Sequence, residues 1–139
     1  MIQKIISGEL PQPPVGQLIG FRLVSVKPGE SVVELNADKR HSNPMGTLHG
    51  GVLCDIADSA MGIAYASLLE DEESFTTLEL KINFIKPVWN ANLRAIGRVV
   101  RKGNTVGLVE CSVLDDNDKL IARASSTCLT LRGEQAKQR

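Results

Sequence analysis

Neither sign of charge predominates in this chain: sixteen Lys and Arg balance sixteen Asp and Glu. No global field therefore draws it toward nucleic acid or an anionic bilayer, and neither partner is expected. It also lacks any run of the roughly 18 apolar residues that a bilayer span requires. Cysteine is scarce. Cys54, Cys111 and Cys128 are odd in number and share no short redox or metal-ligand spacing, which argues against a disulfide frame and against a metal site. Reduced thiols imply a cytoplasmic location. The opening MIQKIISGELPQPP has no long apolar core before its prolines, so no export signal or anchor is read there.

What is present suits a single folded unit. The chain has 139 residues, 42% hydrophobic and 23% charged, in the ordinary range for one globular domain. Ile2, Ile5, Ile6 and Leu10 predict a short amphipathic helix, which Pro11, Pro13 and Pro14 forbid to continue, so residues 1–18 read as a lead-in arm. The domain is expected over 19–132, with a tail at 133–139. Phe21 to Val26 and Ser31 to Leu35, joined by Lys27-Pro28-Gly29-Glu30, predict a first hairpin.

Turn formers then crowd residues 38–51, which must be an ordered loop. From Val52 to about Leu69 there is no proline and one glycine, and apolar residues recur at helical spacing. The rest of this helix's circumference, Cys54, Asp55, Asp58, Ser59, Gly62, Tyr65 and Ala66, is mostly small. Small residues let another backbone approach, so this arc is read as contacting a second copy of the chain.

Four further strands are predicted: Thr76 to Ile85, with Leu78, Leu80, Ile82 and Phe84 on one face, then Leu93 to Val100, Val106 to Leu114 and Leu120 to Leu131. One helix covers only one face of so large a sheet, which predicts an α+β fold: an antiparallel sheet of about six strands wrapped around one long central helix. The strand edges invite pairing with another copy.

The densest chemical signal is Asn43-Pro44-Met45-Gly46-Thr47-Leu48-His49-Gly50-Gly51, running straight into the helix. A helix N-terminus offers unpaired N–H groups and partial positive charge, and glycine lets a ligand approach them, so an anion or developing oxyanion is favoured there. Two turns into the helix stands Asp58, a carboxylate among apolar and small residues, where it is costly unless paired or used. Asp55 lies one turn earlier. Helical spacing alone does not choose between them.

The motif Asn-Pro-x-Gly-x-x-His-Gly-Gly followed by an acidic residue within the helix, carried here by Asn43, Pro44, Gly46, His49, Gly50, Gly51 and Asp58, resembles the hotdog-fold acyl-CoA thioesterases of the phenylacetate-degradation type. The resemblance runs from about Gly20 to Leu131 and selects Asp58 over Asp55. It implies hydrolysis of an acyl-CoA thioester without a cofactor, CoA being part of the substrate. Asp58 would attack the carbonyl or activate a water, and the Gly50 N–H would hold the oxyanion. Asn43 and His49 would line and orient the site. Thr77, with Thr76 as competitor, matches the position of a strand hydroxyl near the attacking water. The resemblance also implies a homodimer with its sites at the interface, commonly paired into a homotetramer.

Gly51, Leu53, Met61 and Phe84 are the candidates for substrate contact. For the CoA phosphates the candidates are Arg101 and Lys102, with Arg94, Arg98 and Lys86 as further cations. Two other readings stand beside hydrolysis. A hydratase or dehydratase of acyl thioesters needs a histidine paired with an acid on separate elements, and the arrangement of His41 and His49 does not display one. A non-catalytic acyl-CoA-binding module would not need Asp58.

Overall fold

Proline starts a helix here as well as stopping one. The computed structural model describes residues 1–139. A first helix, α1 (Ile2–Ile6), ends before the prolines, but Pro14 then opens a second, unexpected helix, α2 (Pro14–Ile19). At the first helical position the missing N–H is harmless and the fixed φ favours the helix. Gly20, at φ 97°, closes α2 in the left-handed region. Ile2, Ile6 and Ile19 pack this arm against the core.

The remaining elements are β1 (Arg22–Lys27), β2 (Glu30–Ala37), α3 (Gly50–Ala66), β3 (Ser74–Phe84), β4 (Ala91–Lys102), β5 (Val106–Leu114), β6 (Leu120–Leu131) and a last short helix, α4 (Glu134–Lys137). The expected order of strands and long helix is observed. All strand pairs are antiparallel, in the spatial order β1-β2-β4-β5-β6-β3. The strand that follows α3 in sequence therefore forms the far edge of the sheet. No helix is long and apolar enough to cross a membrane.

The core lies between α3 and one face of the sheet. Leu53, Ile56, Ala57, Ala60, Met61 and Ala64 of the helix meet alternate residues of the strands, among them Val33, Leu35, Leu93, Val109 and Val113. Each large side chain so buried contributes about 1.5–3 kcal/mol. At Ala60 the helix backbone itself meets the sheet, its carbonyl accepting the Ser31 hydroxyl at 2.6 Å. A Cβ on residue 97 would stand 2.5 Å from that same oxygen, so only glycine lets β4 run beneath the helix there.

Two expectations need correction. Tyr65 is not on an outer arc: it is fully buried, its ring tilted 54° to that of Phe75 at a centroid distance of 5.5 Å, with its hydroxyl 2.6 Å from the Thr130 hydroxyl. That partner is what makes its burial tolerable. Leu78 does not share a face with Leu80, Ile82 and Phe84. Thr77 pairs with Cys128 and Glu79 with Thr127, leaving Leu78 as an extra, exposed residue in the strand. This bulge switches the alternation, and it puts Thr77 on the helix-facing side together with Leu80, Ile82 and Phe84.

Candidate active site

Short-range bonds turn the glycine-rich loop into a fixed platform. Asn43 donates its backbone N–H to the Thr47 carbonyl at 2.8 Å, and Ser42 and Leu48 form an antiparallel bridge. The Asn43 side chain is used at both ends, its Nδ2 donating to Thr47 Oγ1 at 2.6 Å and its Oδ1 accepting the Met45 N–H at 2.9 Å. Gly46 turns the chain at φ 91°. The Leu48 N–H then ties the loop to the Val88 carbonyl at 2.8 Å.

His49 caps α3. Its Nδ1 accepts the Gly51 N–H at 2.9 Å, and its carbonyl accepts the Val52 N–H at 3.0 Å. The Gly50 N–H, first of the helix, finds no acceptor in the helix, the loops or any side chain. One donor is thus left free at the positive end of the helix dipole. The Phe84 ring covers Gly50 so closely that a Cβ there would lie 2.7 Å from the ring tip. Beside them opens a recess of about 330 Å³, bounded by Asn43, Thr47, Gly50, Leu53, Phe84 and Lys86.

Asp58 stands outside this recess. Its side chain is exposed in the single protomer, yet the neighbouring helix and strand atoms withdraw enough water to raise its carboxyl pKa above the ordinary value, and the Asp55 charge raises it further. Desolvation likewise raises Asp55, which His49 partly offsets. Asp58 faces β6, where its charge helps hold up the pKa of the Cys128 thiol, after desolvation as the main cause. Thr77 Oγ1 lies 4.0 Å from that sulfur. Asp58, Cys128 and Thr77 therefore share the slot between α3 and the β3–β6 pair, while Thr76 is on the opposite face.

Other candidates are scattered. Leu53 and Phe84 wall the recess, but Met61 is 1% exposed in the core, and the Gly51 N–H is taken by His49. Arg101 and Lys102 lie at the other end of β3 from Gly50, about 30 Å away at strand rise, and Lys102 sits 3.8 Å from Glu73. Lys86 is the cation that the fold brings beside Gly50. Thr47 and Cys128 are site residues that the sequence reading missed. Thr47 follows Asn43 by one tight turn, and Cys128 alternates with Ala124 and Ser126 on the helix-facing side of β6, which were the available signals. Both ring nitrogens of His41 are occupied by backbone groups, which leaves neither for the proton transfers of a hydratase.

The sequence profile of the thioesterase superfamily matches residues 45–122. A protein from Saccharolobus solfataricus that carries an esterase name is 34% identical, over 84% of this chain and 82% of its own length. The 1,4-dihydroxy-2-naphthoyl-CoA hydrolase of Listeria monocytogenes is 29% identical, over 80% of this chain and 90% of its own. A crystal structure from Ralstonia eutropha, described as a thioesterase related to phenylacetic acid degradation, superposes with a TM-score of 0.81 at 30% identity, covering 92% of this chain and 98% of that one.

Proposed function

We propose, from the premise that the chain belongs to the thioesterase superfamily and is a thioester hydrolase on the hotdog fold, that it cleaves acyl-CoA to the free acid and CoA at a site shared by two copies of itself. The observation that carries this reading is the unclaimed Gly50 N–H at the head of α3. Aimed at the thioester oxygen, it stabilises the charge that develops there; such a donor is typically worth about 3–4 kcal/mol. Asp58 supplies the base or the nucleophile. As a base it takes a proton from water, hydroxide adds to the carbonyl carbon, the C–S bond breaks, and the departing CoA sulfur receives that proton. As a nucleophile its carboxylate displaces the CoA thiolate to form a mixed anhydride, which water opens to the free acid and regenerated Asp58 while a proton from that water passes to the thiolate. Thr77 orients the water.

Helix geometry argues that the two groups come from different copies. Eight residues separate Gly50 from Asp58, about 12 Å along an α-helix. A carbonyl within about 3 Å of its oxyanion donor and 3.5 Å of its attacker spans far less. The free edge of β3 suits a homodimer whose partner brings its own Gly50 to this Asp58, whereas Ser59 and Gly62, expected at the seam, are engaged within the protomer, Ser59 beside Ile2 and Ile5 of the arm and Gly62 against the Phe75 ring. Such dimers pair further into a tetramer.

The substrate's acyl group is aryl-acyl or medium-chain, held by apolar walls such as Leu53 and Phe84. The relatives that are named for naphthoyl-CoA and phenylacetic acid favour the aryl choice. Lys86, beside Gly50, is the better placed cation for a CoA phosphate, and the enzyme works in the cytoplasm without a cofactor. Incubating the purified protein with a panel of acyl-CoAs and a free-thiol reagent tests the proposal. Thiol release is expected, and tight binding without release would mark a binding module instead.

A further inference from the structure

His41 has no part in the reaction above, yet it is buried and fully engaged. Its Nδ1 accepts the Asp38 N–H at 3.1 Å, which puts the ring proton on Nε2, and Nε2 donates to the Ile19 carbonyl at 2.6 Å. The ring thus joins the end of α2 to the start of the active-site loop. The His41 backbone carbonyl accepts the His49 N–H at 2.8 Å, closing the base of the loop beneath the Ser42–Leu48 bridge. His49 is the residue whose peptide unit carries the Gly50 N–H. That unit is planar, so its tilt sets the direction of the donor. Val52 holds its carbonyl, and His41 holds the N–H one bond back along the chain.

We infer that His41 is a positioning residue for the oxyanion donor, acting through the His49 backbone; the inference rests on the acyl-CoA hydrolysis proposed above. An apolar side chain of similar size fills the same space but leaves the Asp38 N–H and the Ile19 carbonyl unpartnered, which loosens the loop at both anchors. The arm reaches the chemistry by this route, since Ile19 is its last helical residue.

The test uses the full chain and whichever acyl-CoA the wild type cleaves fastest. His41→Gln keeps a donor that can reach Ile19, His41→Asn keeps an acceptor for Asp38, and His41→Ala loses both. For His41→Ala the expected result is a kcat about tenfold lower with KM within about twofold, because a misdirected donor weakens the transition state and not ground-state binding. Each amide variant recovers part of that loss, and hydrogen exchange at the His49 amide accelerates in step with it. Unchanged kcat in all three variants, or a loss carried by KM alone, overturns the inference. If His41→Ala does not fold, the Gln and Asn variants make the same comparison. A wild type that releases no thiol from any acyl-CoA sinks the hydrolysis reading instead, and exchange at His49 then decides by itself whether His41 holds the loop.

Discussion

Asp58 holds its proton more tightly in the folded chain than in water, through partial burial first and the Asp55 charge second. A raised carboxyl pKa means that the native state binds more protons than the unfolded state, so stability falls as pH rises from the unfolded value through the raised one. Asp58→Asn removes that burden. It is expected to keep or raise the melting temperature at neutral pH while lowering kcat at least about a hundredfold, as melting curves and a thiol-release assay would record; near-wild-type turnover would transfer the role to Asp55. In the proposed mechanism ionised Asp58 is the working form, so activity is expected to rise with pH through its pKa. Asp55→Asn deletes the like charge one turn away, lowers that pKa, and should move the acidic limb of the kcat profile to lower pH. An unmoved limb would show that the two carboxylates do not sense each other during turnover.

At the scale of elements, α3 is held to the sheet by close approach more than by bulk. Gly97→Ala sets a Cβ 2.5 Å from the Ala60 carbonyl oxygen, backbone against side chain, with nothing flexible to yield. Overpacking of this kind costs about 1–3 kcal/mol, and a denaturant titration should show it as a lower midpoint with unchanged slope; a midpoint equal to wild type would mean that helix and sheet separate freely. The strands and α3 were legible in the sequence because their apolar periods stand out between clear turn signals. α2 was not, since three prolines look like a stop and one of them is a start. The bulge at Leu78 was hidden for a different reason. A period of two carries no mark of an extra residue, so the pattern aligned Leu78 with Leu80 and left Thr77 on the wrong face. The motif around Gly50 and the position of Asp58 were visible in one dimension. The anchoring of His41 to Ile19, and of Lys86 to the recess, depends on segments brought together from separate parts of the chain, which local pattern does not encode.

For the whole molecule, the protomer ends in an eleven-residue edge strand, β3, with exposed Phe84 near one end and the Leu78 bulge in its interior. An unpaired edge of that length beside the slot that holds Asp58 and Thr77 suits the proposed pair of copies. The central claim is that Gly50 of one copy and Asp58 of another act on the same carbonyl, and complementation between two inactive variants tests it most directly. Gly50→Pro removes the donor at a helical position whose backbone accepts proline, after a His49 already at φ −64° and ψ 130°, and requires the exposed Phe84 ring, 2.7 Å from the new Cβ, to swing outward. Asp58→Asn removes the base. Unfolding the two variants together and reassembling them at equal amounts should recover about a quarter of wild-type activity, because half the random dimers are mixed and each mixed dimer holds one intact site of two. A reassembled mixture no more active than either variant alone would contradict the shared site.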